Sequence, residues 1–291
     1  MRLRAYAALA LAIAGIAWSA ILVRWAGVPG TVSAFYRVAI AGVVLITWRL
    51  LRGPGDHACG PVRARSVRIA LAGGVFFALD LALWNTAVLR TQAAVASILG
   101  NNTPVFVGIL SWLVLRKRPR ASFWMGLALA LAGCLAIIGA NLGPAAGTRG
   151  SLTGDVLAIV ASVFFAAYLV VTERVRRSMD TLTLNAVSIA GSVAALLVAA
   201  LLLRLPLGPF PLRTWGALLA LGLVSQVMAY YALVYALGHL PATVTSVGLL
   251  AQVPCTAVLA WVLLSEPLSG VQMAGGALVL AGIYVVNREG R

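Results

Sequence analysis

Two side chains of opposite charge stand inside apolar stretches of this 291-residue chain. Asp80 lies in the run Phe77-Ala78-Leu79-Asp80-Leu81, and Arg37 is the only cation placed well inside a predicted membrane span. A carboxylate at the centre of a bilayer costs at least about 2.5–3.5 kcal/mol, so it should face a cavity or a partner. Asp80 is therefore expected to bind a substrate ammonium group, to carry a proton, or to form a structural ion pair with Arg37.

Aromatic side chains accompany these charges at helical spacing. The pairs four residues apart, which share a helix face, are Asp80 and Trp84, Gln226 and Tyr230, Tyr231 and Tyr235, and Phe164 and Tyr168. Asp80 and Tyr230 are themselves 150 residues apart, and so are Trp18 and Tyr168. Helix packing accounts for any one of these aromatics, but together they predict a partly apolar cavity for a flat amphipathic solute. A cation–π contact to an amine fits the same cavity.

Side-chain amides stand just before two prolines in the middle of apolar segments. The runs are Gly100-Asn101-Asn102-Thr103-Pro104 and Ala251-Gln252-Val253-Pro254, with both prolines and both amides Asn102 and Gln252 spaced by 150 residues. A proline frees a backbone carbonyl one turn earlier, and in lipid such a break survives where it faces protein or water. Pro104 and Pro254 are thus predicted helix breaks. Their amides either bind a polar head group at the midplane or only cap and join helices.

The predicted cavity residues are Trp18, Arg37, Asp80, Trp84, Asn101, Asn102, Phe165, Tyr168, Gln226, Tyr230 and Gln252. We expect no metal and no cofactor, since the three cysteines are far apart and both histidines lie in connecting segments. No Ser/Lys, paired Asp or His–carboxylate group lies within the spans, so an intramembrane enzyme is not indicated.

The amino-acid composition indicates that most of the chain lies in a membrane. It is 62% hydrophobic and 10% charged, whereas a soluble domain carries about a quarter charged residues, so lipid should cover most of the surface. The net charge of +15 does not indicate nucleic acid, because the basic residues fall between apolar segments without interleaved aromatic residues. We expect an all-α membrane protein of the bacterial inner membrane.

Ten apolar segments are long enough to cross a bilayer, which needs about 20 residues. They are 5–27, 32–51, 67–89, 93–115, 121–140, 154–173, 181–203, 213–237, 241–264 and 269–287. With the N-terminus inside, sixteen of the 22 Lys and Arg residues fall in inner segments and five in outer ones, which predicts cytoplasmic N- and C-termini. The 150-residue correspondence divides the chain into two five-helix repeats, 1–147 and 148–291, inserted with opposite orientation around a central cavity.

Several short motifs of the chain are similar to those of a known protein family. They are Trp18-Ser19, Phe35-Tyr36-Arg37, the small-residue run before Pro104, and Ser265-Glu266-Pro267-Leu268 ahead of Gly275 and Gly282. With ten helices in two halves, the whole chain resembles the drug/metabolite transporter superfamily, in particular its EamA-type exporters. One departure is Arg116-Lys117-Arg118, where the first half should carry an acidic residue matching Glu266.

The resemblance implies an exporter of small amphipathic metabolites that works by alternating access around the midplane cavity. The aromatic lining is most similar to bacterial aromatic amino-acid exporters, so amino acids are the favoured substrates. Alternatives are a flippase of a lipid or lipid-linked sugar, a multidrug or organic-cation exporter, and a structural membrane subunit. A small-molecule substrate and membrane lipids are the expected partners, without nucleic acid. Proton-coupled and downhill export stay open, as does the oligomeric state.

Overall fold

A computed structural model describes residues 2–51, 63–90, 99–140, 152–264 and 269–288 of the chain. Within these ranges every regular element is a helix. The first half holds α1 (Arg2–Ala17, continued by Ser19–Ala26), α2 (Gly30–Leu51), α3 (Ala64–Arg90), α4 (Thr103–Leu115) and α5 (Ala121–Ala140). The second half holds α6 (Leu152–Val175), α7 (Thr181–Leu202), α8 (Leu212–Ala220, the π-helix Leu221–Met228 and Ala229–Leu237), α9 (Ala242–Leu249 and Gln252–Leu264) and α10 (Gly270–Arg288).

The helices have the length and composition of a membrane protein. Eight of them are long and apolar enough to cross a bilayer, and α4 and α5 are shorter apolar helices. Large apolar side chains such as Leu113, Met125, Leu202 and Leu280 point outward and are each more than half exposed. A continuous outward-facing apolar surface of this kind suits lipid rather than water. The all-α prediction with ten membrane helices is confirmed.

Within the part of the chain that the structure describes, four of the spans are interrupted. A turn at Trp18 divides α1, a turn at Asn101 and Asn102 precedes α4, and a turn at Leu250 and Ala251 divides α9. The π-helix Leu221–Met228 interrupts α8, and such π segments are frequent at functional sites. Each interruption changes which backbone groups are free to bond outside their own helix.

The contacts between helices follow the symmetry expected of a duplicated fold. Helix α3 packs against α6 and α7, and its counterpart five helices later, α8, packs against α1 and α2. In the same way α4 contacts α6 while α9 contacts α1. Helices α2 and α7, α4 and α9, and α5 and α10 each pack against their own counterpart, as a two-fold relation between the repeats requires. The principal partners therefore belong to opposite repeats, and the two repeats interleave.

Glycines allow the closest of these contacts, between α5 and α10. Gly126 faces Gly282 and Gly133 faces Gly275, so that a Cβ atom on Gly133 would lie 2.5 Å from the Gly275 carbonyl oxygen. Small residues that let backbones approach in this way are the usual basis of helix association in lipid. Between α2 and α3, the Asn85 amide instead donates to the Gly30 carbonyl at 3.1 Å and to Ser33 Oγ at 2.9 Å.

Candidate functional site

Arg37 on α2 is buried at the junction of three spans. Its Nη1 donates to Ser19 Oγ on α1 at 2.8 Å, and its Nε donates to Gln226 Oε1 on α8 at 2.7 Å. Its Nη2 donates to the Ser225 carbonyl, in the π-helical segment, at 3.1 Å. Ser225 in turn donates from Oγ to the Gly15 carbonyl at 2.9 Å, which ties this segment to α1. Neutral oxygens thus hold the guanidinium.

An aromatic cluster adjoins the guanidinium. The Arg37 Cζ lies 5.2 Å from the centroid of the Tyr230 ring, within the range of a cation–π contact. The Phe77 ring is 4.6 Å from that of Tyr230 and 4.8 Å from that of Tyr168. Phe165 flanks the cluster, with its ring 6.2 Å from Tyr168 and 6.4 Å from Tyr230. Helices α3, α6 and α8 supply these four rings.

Asp80 lies one helical turn from Phe77 on α3 and is 8% exposed. Its charge acts on Arg37, Tyr168 and Tyr230, which places all three in its neighbourhood. Yet Arg37 and Asp80 are farther apart than the 4.0 Å of an ion pair, and among the described residues no cation is within that distance of the carboxylate. The direct Arg37–Asp80 pair, one of the sequence-based alternatives, is not formed.

The broken helices α4 and α9 meet through their amides. Gln252 Nε2 donates to Asn101 Oδ1 at 3.2 Å, so a hydrogen bond joins the two repeats. Asn102 instead donates from Nδ2 to the Leu99 carbonyl at 3.2 Å, within its own segment. Pro104 lies in the first turn of α4, and the Gly100 carbonyl that it leaves free accepts from Thr103 Oγ1 at 3.0 Å.

The second proline break is satisfied in the same local way. Pro254 lies in the first turn of Gln252–Leu264, and the Leu250 carbonyl accepts from the Val253 amide at 3.0 Å. Both freed carbonyls therefore have donors from their own segments. This leaves the half-buried Gln252 side chain, rather than the backbone, as the polar group that α9 presents at the break.

Two tryptophans lie beside these breaks. Trp84 packs against Gly100, where an added Cβ atom would lie 3.2 Å from its Nε1. Trp18 occupies the turn of α1 and packs with Leu22, Val23 and Leu221. Helix α3 consequently carries Asp80 toward the aromatic cluster and Trp84 toward the start of α4.

Comparison with known proteins decides the family. The pattern of the EamA-like transporter family matches residues 4–139 and, a second time, residues 152–288. The chain belongs to the EamA-like transporter family. Two consecutive matches fit the two-repeat fold, and the boundary between residues 147 and 148 stays a prediction.

Relatives of this transporter cover almost its whole length. It is 27% identical over 274 residues to the uncharacterized transporter YwfM of Bacillus subtilis, spanning 91% of this chain and 90% of that protein. It is 30% identical over 264 residues to the pseudopaline exporter CntI of Pseudomonas aeruginosa, spanning 90% of this chain and 88% of that protein. A solved crystal structure that is 22% identical has a TM-score of 0.80 and covers 100% of this chain and 99% of the other, so the two share the fold.

The structure of this EamA transporter collects the predicted cavity residues into two neighbouring groups. The first lies between α2, α3, α6 and α8 and consists of Arg37, Asp80, Phe165, Tyr168, Gln226 and Tyr230. The second lies at the start of α4 and consists of Trp84, Asn101 and Gln252. Asn102 donates to the Leu99 carbonyl of its own segment, and Trp18 lies at the break in α1. Ser265-Glu266-Pro267-Leu268 lies outside the described residues.

Two residues of these surroundings were not among the predicted cavity residues. Phe77 is three positions before Asp80, a spacing that places both on one helix face and could have identified it. Ser19, a ligand of Arg37, follows the predicted Trp18 directly.

A depression of about 540 Å³ lies at the predicted outer end of the transporter, away from both groups. It is lined by the turn between α1 and α2 and by the connection into α8, including Arg24, Trp25, Phe210 and Arg213. By contrast, Arg37, Asp80, Tyr168, Gln226 and Tyr230 are all buried. The midplane cavity stays a prediction.

Proposed function

We propose that this membrane transporter exports small amphipathic metabolites, with amino acids, and aromatic ones above all, as the favoured substrates. The observation that carries the proposal is the buried Asp80 carboxylate, which has no cation within ion-pair distance among the described residues and lies beside an aromatic cluster and Arg37. This combination offers separate places for an ammonium group, a carboxylate and a flat side chain.

The electrostatics support a substrate ammonium group at Asp80. A charged side chain inside a membrane protein is expensive unless it pairs, so a cation that arrives with the substrate would be strongly favoured. Arg37 has five N–H donors, of which three are bonded to Ser19, Gln226 and Ser225, and the Tyr230 hydroxyl also lies close to the guanidinium. A remaining donor suits a substrate carboxylate. Phe77, Tyr168 and Tyr230 then provide the apolar faces for a side chain.

The fold supports alternating access. Inverted repeats place substrate sites near the midplane, where interrupted helices meet, and here the breaks of α4 and α9 are joined by Asn101 and Gln252. The export direction is supported by the relative named a pseudopaline exporter. Movement around the midplane would open the site to one side of the membrane at a time.

Proteoliposomes containing the purified protein test the proposal. Uptake of labelled tryptophan, phenylalanine, leucine and organic cations is measured with and without a pH gradient, for the wild type and for Asp80→Asn. We expect saturable uptake of the aromatic amino acids and a loss in kcat/KM of about tenfold or more in Asp80→Asn, because one ionic contact of about 1.4 kcal/mol is removed. Asp155→Asn, which removes an acid from the first turn of α6, is the matched control and should stay near wild type.

Three outcomes would contradict the proposal. If every amino acid fails while a fluorescent lipid analogue crosses, the protein is a flippase. If only organic cations are transported, it is a multidrug exporter. Undiminished amino-acid transport by Asp80→Asn would remove that residue from the site and with it the basis of the proposal.

A further inference from the structure

Glu173, at the end of α6, is a buried acid that connects three parts of the chain. It is 7% exposed, and its Oε1 accepts from Lys117 Nζ, in the connection between α4 and α5, at 2.6 Å. Its Oε2 accepts from the backbone amide of Ala242, the first residue of α9, at 2.8 Å. Arg177 is a more distant neighbour at 3.8 Å and is 66% exposed. Charge-assisted hydrogen bonds of this length are the strong ones.

This contact lies at one end of the bundle. Helices α4 and α6 end here and α9 begins here, at the end that the distribution of Lys and Arg predicts to be cytoplasmic. Helix α4 packs against both α6 and the first segment of α9. The same two helices, α4 and α9, carry Asn101 and Gln252 at their breaks. Glu173 therefore holds together the ends of the helices that meet deeper in the protein.

Two hydroxyl groups lie just below this contact without a hydrogen-bond partner among the described residues. They are Ser111 Oγ on α4 and Thr245 Oγ1 on α9, in side chains that are 2% and 0% exposed. Ser111 is four residues from the end of α4 and Thr245 three residues from the start of α9, so both lie about 5 Å inside the bundle at 1.5 Å per residue. Buried hydroxyls without partners are unfavourable, and separating α4 from α9 would let water reach them.

The opposite end of the bundle has no equivalent acid at the position related by the repeat. The residue 150 positions before Glu173 is Val23, which is apolar and buried. The carboxylate of Glu173 therefore has no counterpart at position 23, among the residues that the structure describes.

We propose that Glu173 is the gate residue of the cytoplasmic end of this transporter. Its bonds to Lys117 and to the Ala242 amide hold α4, α6 and α9 together and close the path between α4 and α9. Breaking these bonds opens that path and hydrates Ser111 and Thr245. The gate depends on transport by alternating access and not on which substrate binds at Asp80.

Cysteine accessibility tests the gate without any substrate. Cys59, Cys134 and Cys255 are replaced by alanine, Thr245→Cys is introduced, and a charged, membrane-impermeant thiol reagent is applied to the cytoplasmic face of inside-out vesicles. We expect the modification rate to rise about tenfold in Glu173→Gln and in Lys117→Gln, because each weakens the bonds that favour the closed state. Lys117 is half exposed, so its variant should fold normally even if Glu173→Gln does not.

Arg177→Gln is the matched control, since it removes one positive charge from the same acid at a longer distance. Its modification rate should stay within about twofold of the parent, as expected for an exposed pair. The proposal is overturned if Lys117→Gln leaves the rate unchanged. It is also overturned if Arg177→Gln raises the rate as much as Lys117→Gln, because that result would indicate general loosening. A loss of amino-acid transport in Asp80→Asn with an unchanged Lys117 effect would separate the site from the gate.

Discussion

Arg37 connects three helices in the interior of the protein. It is 2% exposed, and its three hydrogen bonds end on α1 and α8 while its own backbone belongs to α2. Its planar fork of donors matches these three oxygens, whereas a lysine ammonium is a point charge on a flexible stem. The π-helical segment of α8 supplies one of the acceptors, the Ser225 carbonyl. The cation is thus a structural connection as well as a candidate ligand.

Arg37→Lys should lower thermal stability although it keeps the charge. At least two of the three hydrogen bonds would be lost, at about 1 kcal/mol each. Unfolding in detergent micelles, followed by intrinsic fluorescence, should show a clear decrease in Tm. Arg24→Lys, at an exposed position near the end of α1, is the control and should change Tm little. Equal Tm values for the two variants would show that the three bonds contribute nothing to stability.

For single residues, the sequence indicated which side chains lie in the interior better than it indicated which groups they contact. The 150-residue spacing and the four-residue pairs pointed to Asp80, Tyr168 and Tyr230, which the structure places in one neighbourhood. Which groups actually touch depends on the rotation of each helix about its axis, and tertiary packing sets that rotation. This is why Asn101 rather than Asn102 meets Gln252, and why Arg37 bonds to Ser19 and not to Asp80.

Among the elements, the pair α5 and α10 gives the sharpest test of close packing. A Cβ atom on Gly133 would lie 2.5 Å from the Gly275 carbonyl oxygen, whereas a Cβ atom on Gly139 of the same helix would meet nothing within 4 Å. Gly133→Ala should therefore destabilise the protein, since the backbone of α10 has to move. Gly139→Ala should be neutral or stabilising by up to about 1 kcal/mol, because alanine favours the helix.

Thermal unfolding of the two alanine variants in the same detergent measures this difference. Both substitutions add one methyl group to the same helix, so the change in composition is equal. If Gly133→Ala were as stable as Gly139→Ala, the close approach of α5 and α10 would not contribute to the fold.

The start of α7 depends on a capping acid outside the membrane spans. Asp180 accepts from the Leu182 and Thr183 amides, both at 3.0 Å. Burial alone would raise its pKa, but the hydrogen bonds from Thr183 and Leu182, with Arg49 nearby, outweigh it and hold the pKa below its usual value. Asp180→Ala should cost about 1 kcal/mol at pH 7, and Asp180→Asn less, because asparagine also caps helices.

The pH dependence of this cap has a definite sign. A carboxyl whose pKa is lowered in the folded state contributes fully above its unfolded pKa, and the contribution disappears as the pH falls through the folded value. The Tm difference between wild type and Asp180→Ala should therefore be constant from pH 7 to about 5 and shrink below about pH 4. A difference that grew on acidification would contradict the role of the charged cap.

The positions of the helices could be predicted from the lengths of the apolar segments. The interruptions of the helices could be predicted only in part. The prolines marked the breaks at the start of α4 and within α9 because proline has a local steric effect. The turn at Trp18 and the π-helix Leu221–Met228 lie in segments that were predicted as continuous spans, 5–27 and 213–237. Neither contains a proline, and in α8 the irregular backbone meets Arg37 and α1, contacts that a single segment does not encode.

For the whole molecule, the main feature is that the two repeats interleave. Helix α3 packs against α6 and α7, and α8 against α1 and α2, so the principal partners lie in opposite halves. The sequence predicted two repeats of opposite orientation, but it could not show that they share one core. Because packed neighbours tend to move together, the parts that move during transport should each contain helices of both repeats.

This arrangement predicts how the separated halves behave. Expressed alone, residues 1–147 or 148–291 should be degraded or aggregate, because α3 would lack α6 and α7, and α8 would lack α1 and α2. Co-expressed, the two halves should associate in the membrane and copurify through a tag on one of them, since the contacts between repeats need no covalent connection. The measurement is copurification from detergent, followed by size-exclusion chromatography and uptake in proteoliposomes. If either half alone formed a stable, monodisperse protein, the repeats would be independent folding units, and the shared core would not be what stabilises the transporter.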